Sequence, residues 1–137
     1  MTYRWRNLAF DLPAGLEDDS VLTFVGRTDA HGDINVTCVQ DSLEGDLEAY
    51  LADAVDDMGR SFPSYQLLEQ SSREVAGLGA RILEQTIGDA ESESLLQFQA
   101  YLPHGDGITI FTATGQRAAR SQIAAALDDI LRTFRIP

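Results

Sequence analysis

The chain has 137 residues, 44% of them hydrophobic, and its 22 acidic side chains outnumber 10 basic ones for a formal net charge of −12. A chain of this length typically folds as one domain that buries roughly two-thirds of its unfolded surface, so we expect a single domain over residues 1–137. The acidic balance argues against nucleic acid and anionic membranes as partners, because both require basic side chains.

The cysteine count and the apolar runs indicate the compartment. Cys38 is the single cysteine, so the chain has no intrachain disulfide. The N-terminal residues lack the apolar core of a secretory signal, and no apolar run reaches the about 18 residues that a membrane-spanning helix needs. We therefore expect a soluble, cytoplasmic protein.

Three strands and a helix are predicted in the first half of the chain. The strands cover residues 3–10, 20–26 and 33–40. Apolar side chains from Leu47 to Met58 then recur every three or four residues. This spacing predicts an amphipathic helix over 46–59, with Asp46 as its N-cap.

Four more strands and a second helix are predicted after it. The strands cover residues 65–75, 80–87, 95–102 and 108–113. An amphipathic helix over 116–134 follows, with Thr114 as its N-cap. Because short turns join most of the strands, we expect an α+β fold with an antiparallel sheet of about six or seven strands. Both helices are expected on one face of the sheet, which leaves the other face open.

The open face is predicted to mix polar and apolar side chains. Because side chains alternate along a strand, Ile34, Val36 and Cys38 are expected to face the helices. The candidate binding residues on the opposite, open face are Leu22, Phe24, Asn35, Thr37, Val39, Gln97 and Gln99. A face that met only water would carry more charge. This composition therefore predicts a homodimer interface or a partly covered sheet face, or a groove for an apolar partner segment, and these interpretations are compatible with each other.

No pattern in the chain predicts catalysis. His31 and His104 each begin a His-Gly-Asp tripeptide, and both tripeptides lie at turns, where glycine and aspartate serve turn geometry. Cys38 lies among apolar neighbours and is expected to be buried and inert. Glycine-rich phosphate-binding loops and metal-binding motifs are missing from the sequence. We therefore expect no enzyme activity, no metal and no cofactor.

Five short segments occur in a family-like order along nearly the whole chain. They are FDLPAGLEDDSV at 10–21, LEAYL at 47–51, GLGARILE at 77–84, FTATG at 111–115 and LRTF at 131–134. Together they resemble the DcrB-like (DUF1795) family. One departure is Leu16, where that family usually has tryptophan. The resemblance implies a Mog1/PsbP-like fold.

Stand-alone members of that family are similar to the Eag chaperones of type VI secretion. The resemblance implies a homodimer whose concave sheet face binds the apolar N-terminal transmembrane segments of PAAR or Rhs effectors. One alternative is a non-enzymatic adaptor of the same fold that binds through its loops or through Asp53, Asp56 and Asp57 on the first helix. Another is a small enzyme or ligand binder that uses His31 and His104.

Overall fold

The computed structural model describes residues 2–5, 8–11, 14, 21–28, 32–88 and 95–136. Near the N-terminus, β1 (Thr2–Trp5) and β2 (Leu8–Asp11) pair with each other as a small antiparallel sheet. The prediction of one strand over 3–10 is therefore wrong. No glycine or proline interrupts that run, and Asn7 is a weak turn signal that the prediction did not use.

Six further strands form the main sheet. They are β3 (Leu22–Thr28), β4 (Gly32–Ser42), β5 (Gln66–Val75), β6 (Leu78–Ile87), β7 (Leu95–His104) and β8 (Gly107–Gln116). Their spatial order is β3-β4-β8-β7-β6-β5, and every neighbouring pair is antiparallel. The predicted antiparallel sheet is confirmed, with the β6–β7–β8 meander at its centre and β3 and β5 as its edge strands.

Two α-helices complete the fold of the described residues. They are α1 (Leu47–Ser61) and α2 (Arg120–Thr133), and a single 3-10 turn over Arg117–Ala119 leads into α2. Among the described residues, no helix is both long enough and apolar enough to span a bilayer.

The helices lie on opposite faces of the main sheet. On α1, Leu51 packs in a cluster with Leu83 and Tyr101, whereas Ile123 of α2 packs in a cluster that includes Ala100. Successive residues of a strand point to opposite faces, so Ala100 faces α2 and Tyr101 faces α1. We call these sides the α1 face and the α2 face.

The prediction that both helices cover one face is therefore wrong. The α1 segment joins β4 to the far edge strand β5 and crosses the sheet on one side, whereas α2 follows the central strand β8 on the other. Tyr101, predicted on the open face, is 3% exposed because α1 covers it.

Helix capping is predicted correctly at one helix only. The Asp46 carboxylate accepts a hydrogen bond from the Ala49 N–H at 2.8 Å, as an N-cap does. Thr114 caps no helix, because β8 continues through Gln116. Gln116 itself provides no side-chain hydrogen bond to the helical turn that follows it.

Candidate functional site

Five polar side chains of the central meander lie together on the α1 face. We call this set the amide network, and its members are Gln85, Gln97, Gln99, Thr112 and Thr114. Strand register brings them together, because Gln97 lies opposite both Gln85 and Thr114, and Gln99 lies opposite Thr112. On one face of a sheet, such directly opposed pairs are within contact distance.

Hydrogen bonds connect these side chains across three strands. Gln85 Nε2 donates to Oε1 of both Gln97 and Gln99, at 2.7 and 2.8 Å. Gln97 Nε2 donates to Thr114 Oγ1 and Gln99 Nε2 to Thr112 Oγ1, each at 3.1 Å. Gln85 is fully buried and Gln97 is 8% exposed, so these bonds satisfy groups that would otherwise be desolvated without a partner.

Two tyrosines fix the network at its ends. The Tyr65 hydroxyl donates to Gln85 Oε1 and the Tyr101 hydroxyl donates to Gln99 Oε1, both at 2.7 Å. Burial raises the pKa of each tyrosine above its ordinary value, so both remain protonated donors at neutral pH. Tyr101 also makes an edge-to-face contact with Tyr50 of α1. The network is thereby joined to the α1 core.

Some donors of the amide network remain unused. Each glutamine amide has two N–H groups and each threonine hydroxyl carries one hydrogen. Gln97 and Gln99 each use one N–H, and Thr112 and Thr114 act only as acceptors, among the described residues. Of these four residues, Gln99, Thr112 and Thr114 are half-buried. The network therefore offers hydrogen-bond donors to an external partner that presents carbonyl or hydroxyl oxygens.

Apolar side chains border the network at both edges of the sheet. One row of mutually opposed residues crosses all six strands on the α1 face: Val25, Asn35, Thr114, Gln97, Gln85 and Leu67. Its two apolar ends, Val25 and Leu67, are 57% and 38% exposed. The half-buried Val39 lies on the same face of β4. We call Val25, Val39 and Leu67 the apolar rim.

The structure brings together five of the seven predicted binding residues. Asn35, Thr37, Val39, Gln97 and Gln99 all lie on the α1 face, which follows from the pairing of β4 with β8 and of β8 with β7. Asn35 is exposed, but Gln97 lies beneath its neighbours and is much less open than the sequence predicted.

Leu22 and Phe24 lie on the opposite face. They are 53% and 56% exposed, and they pair with Cys38 and Val36 of the α2 face. The prediction that Leu22 and Phe24 share a face with Asn35 is therefore wrong. Both alternating sets of β3 are apolar, so only the register with β4 decides which set faces α1.

Sequence reasoning missed Gln85, Thr112 and Thr114. A usable signal exists on two of the three strands, since Gln97 and Gln99 on β7 and Thr112 and Thr114 on β8 alternate with apolar residues. It is missing for Gln85, which lies between the polar residues Glu84 and Thr86. The meeting of the glutamines and threonines depends on the register across two turns, which periodicity along a single strand does not specify.

The candidate catalytic residues do not form a site in the described chain. His104 Nε2 lies 2.6 Å from Thr109 Oγ1, within a hydrogen bond, and His31 lies outside the described residues. Burial raises the pKa of the Cys38 thiol, which disfavours a reactive thiolate. Within the described ranges, no group of three His, Cys, Asp or Glu side chains is placed to hold a metal ion.

Comparison with known proteins places the chain among proteins of similar fold. A sequence model of the DcrB family matches residues 8–133. No curated protein matches the chain. Among solved structures, a Pseudomonas aeruginosa protein of unknown function, PA94, described as a putative regulator, is 18% identical with a TM-score of 0.80. The alignment covers 100% of this chain and 96% of that one.

Two further solved structures share the fold at lower similarity. LpqN of Mycobacterium tuberculosis, involved in cell envelope biogenesis, is 17% identical with a TM-score of 0.57, and the match covers 90% of this chain and 80% of LpqN. The cyanobacterial PsbP of Synechocystis is 10% identical with a TM-score of 0.54, and the match covers 93% and 98% of the two chains. The fold is therefore PsbP-like.

Proposed function

The chain belongs to the DcrB family, and we propose that it is a chaperone for a type VI secretion effector of the PAAR or Rhs type. Its client is the apolar N-terminal transmembrane region of that effector, and its binding surface is the amide network with the apolar rim. The observation that supports this proposal is the pattern of the α1 face. Unused hydrogen-bond donors lie at its centre, and exposed Val25 and Leu67 lie at its edges.

The chemistry of a transmembrane helix matches this pattern. Before insertion, its apolar side chains must be shielded from water, and the rim supplies apolar contact. Such helices also carry hydroxyls and carbonyls at close-packed positions, where side-chain hydrogen bonds contribute roughly 1 kcal/mol each. The half-buried Gln99, Thr112 and Thr114 offer donors to these oxygens without adding charge. A surface of lysine or glutamate would have to desolvate a charge to make the same contacts.

Two copies of the chain are part of the proposal. A helix with its side chains is about 10–12 Å across, so a single sheet face leaves its outer side in water. A homodimer in which each copy presents an amide network encloses the client from both sides. The net charge of −12 per copy keeps the loaded complex soluble in the cytoplasm.

A protein-interaction adaptor of the same fold is the second candidate, and the outer face of α1 favours it. Asp57 pairs with Arg60 at 2.7 Å, whereas Asp53 and Asp56 are exposed and form no ion pair within the described chain. These carboxylates suit a basic partner surface. If the outer face of α1 is the binding site, charge reversal of Asp53 and Asp56 should abolish binding of the partner protein. If the amide network is the binding site, the same change should leave binding intact. Neither role involves catalysis, and we infer that the protein is not an enzyme.

Val25 and Phe24 provide a matched test of the chaperone proposal. They are neighbours on β3 with almost equal exposure, 57% and 56%, but they project from opposite faces of the sheet. Fully burying a valine side chain contributes about 1.5–3 kcal/mol, so burying the exposed share of Val25 contributes roughly 1–1.7 kcal/mol. Val25→Gln should therefore weaken client binding about 5- to 20-fold.

Phe24→Gln is the control in the same edge strand. It should leave client binding unchanged, because Phe24 lies on the α2 face. Binding is measured by titrating each folded variant with the labelled apolar region of the effector. Equal weakening by both variants, or weakening by Phe24→Gln alone, would show that the client does not lie on the amide network.

A further inference from the structure

A small cavity lies where the start of α2 meets the β5 edge of the sheet. Its volume is about 190 Å³, and Leu68 and Leu96 form part of its wall. The register of β5 shifts between Leu67 and Glu69, and Leu68, at this irregularity, is 52% exposed. The cavity is on the α2 face, away from the amide network.

A buried hydroxyl in the cavity wall has no hydrogen-bond partner. Thr86 is 2% exposed, lines the cavity, and has an Oγ1 atom without a donor or acceptor in the described chain. Buried polar groups in folded proteins are nearly always paired, and an exception requires an explanation. A ligand that pairs with this hydroxyl supplies one.

The start of the last helix lies at the same cavity. The 3-10 turn Arg117–Ala119 leads directly into the 14-residue helix α2, and neither Gln116 nor Ala119 caps these segments with its side chain. The Arg120 N–H already donates to the Arg117 carbonyl. The other N–H groups at the start of a helix have no partner within it, and the aligned peptide dipoles make this end positive. Such an end attracts anions.

Two arginines line the cavity beside this helix start. Arg120 is paired with Glu84 through two hydrogen bonds, Nε to Oε2 at 2.8 Å and Nη2 to Oε1 at 3.0 Å. Glu69 also acts on Arg120 electrostatically. Arg117 is exposed and forms no ion pair with the described residues. The carboxylates of Glu69 and Glu84 balance the charge of the guanidinium groups of Arg117 and Arg120. Recognition of an anion therefore depends on the hydrogen-bond donors of Arg117 and of the helix start.

We propose that this cavity binds a carboxylate group carried on a short apolar stem. The carboxylate is held by Arg117 and the N–H groups at the start of the helix, with Thr86 as a further hydrogen-bond partner. The stem lies against Leu68 and Leu96. The ligand is either a free organic acid or the terminal carboxylate of a protein segment. The site stands on observations separate from those that support the proposed function.

Titration of the full chain with sodium butyrate tests this site by ¹⁵N NMR. At constant ionic strength, butyrate should shift the amide signals of residues 117–119 saturably, and neutral butyramide should not. Arg117→Gln should weaken butyrate binding about tenfold through the loss of a charge-assisted hydrogen bond. Arg60→Gln, which removes an exposed arginine from α1, should leave it unchanged.

The outcomes separate the site from its alternatives. Equal shifts with butyramide or sodium chloride, or unchanged butyrate affinity in Arg117→Gln, would overturn the proposal. Titration with the dipeptide acetyl-Ala-Leu, carrying either a free or an amidated C-terminus, distinguishes a protein terminus from a small organic acid as the source of the carboxylate. Tighter binding of the free-acid peptide than of butyrate assigns the site to a protein terminus. Equal binding of the two acids assigns it to a small organic acid.

Discussion

Replacing Gln85 with leucine should destabilise the protein through the amide network. Gln85 is fully buried, donates to Gln97 and Gln99, and accepts from Tyr65. Leucine has a similar size but no polar atoms. Gln99 Oε1 keeps its bond from Tyr101, whereas Gln97 Oε1 loses its donor. The substitution therefore leaves one deeply buried acceptor unpaired.

The size of the loss in stability depends on how deeply the groups left without a hydrogen-bond partner are buried. An unpaired buried acceptor costs about 1–3 kcal/mol, and Gln97 at 8% exposure bears nearly the full cost. Tyr65 is only half-buried and regains water as a partner, so it adds little. We expect a loss of about 2 kcal/mol in the free energy of unfolding, and for a domain of this size a fall in Tm of roughly 6–10 °C.

Urea unfolding followed by circular dichroism measures this loss. Gln70→Leu is the matched control, because Gln70 is exposed on the neighbouring strand and lies opposite Leu83, outside the network. An exposed substitution of this kind changes stability by about 0.5 kcal/mol or less. Equal stability of the Gln85→Leu and Gln70→Leu proteins would refute the reasoning that the network contributes to stability.

Two further predictions concern pH and helix capping. Burial, together with the hydrogen bond to Asp41, raises the pKa of Tyr50 to about 12. In the unfolded chain, tyrosine loses its proton near pH 10. The stability that protonated Tyr50 contributes is therefore intact below about pH 10 and is lost as the pH rises toward about 12. The urea midpoints of the wild type and of Tyr50→Phe should converge in that pH range. Asp46→Ala removes the bond to Ala49 and should lower the free energy of unfolding by about 1 kcal/mol, whereas Asp46→Asn should retain most of it, in the same urea assay.

Local patterns were sufficient to predict the elements of the main sheet and both helices. The first helix was predicted over 46–59 and is observed at Leu47–Ser61, because its apolar spacing and the N-cap Asp46 are local signals. The meander was predicted from its turn residues, and its strands are observed to begin up to two residues earlier and to end up to three residues later than predicted. These features depend on residues that are close in sequence.

The faces of the sheet could not be predicted in the same way. Tyr101 and Leu83 are covered because α1 crosses the sheet from β4 to the far edge, and that path is a property of the whole fold. Leu22 and Phe24 were assigned to the wrong face because a change of one residue in the register with β4 exchanges the two faces of a strand.

The candidate site was predictable to the extent that it follows strand alternation. Gln97 and Gln99 share a face because they are two residues apart on one strand. Their bonds to Gln85 and Thr114 depend on pairing between strands, and the buried state of Gln97 depends on its neighbours. These properties arise only when the meander is assembled.

Co-purification tests the proposed function most directly. The protein is co-expressed with the N-terminal region of a PAAR- or Rhs-type effector encoded beside it, with and without the apolar segments of that region. We predict that the effector region is recovered in the soluble complex only when the apolar segments are present. Recovery that is unchanged when those segments are deleted, or no recovery with a folded chaperone and a soluble effector region, would contradict the proposal.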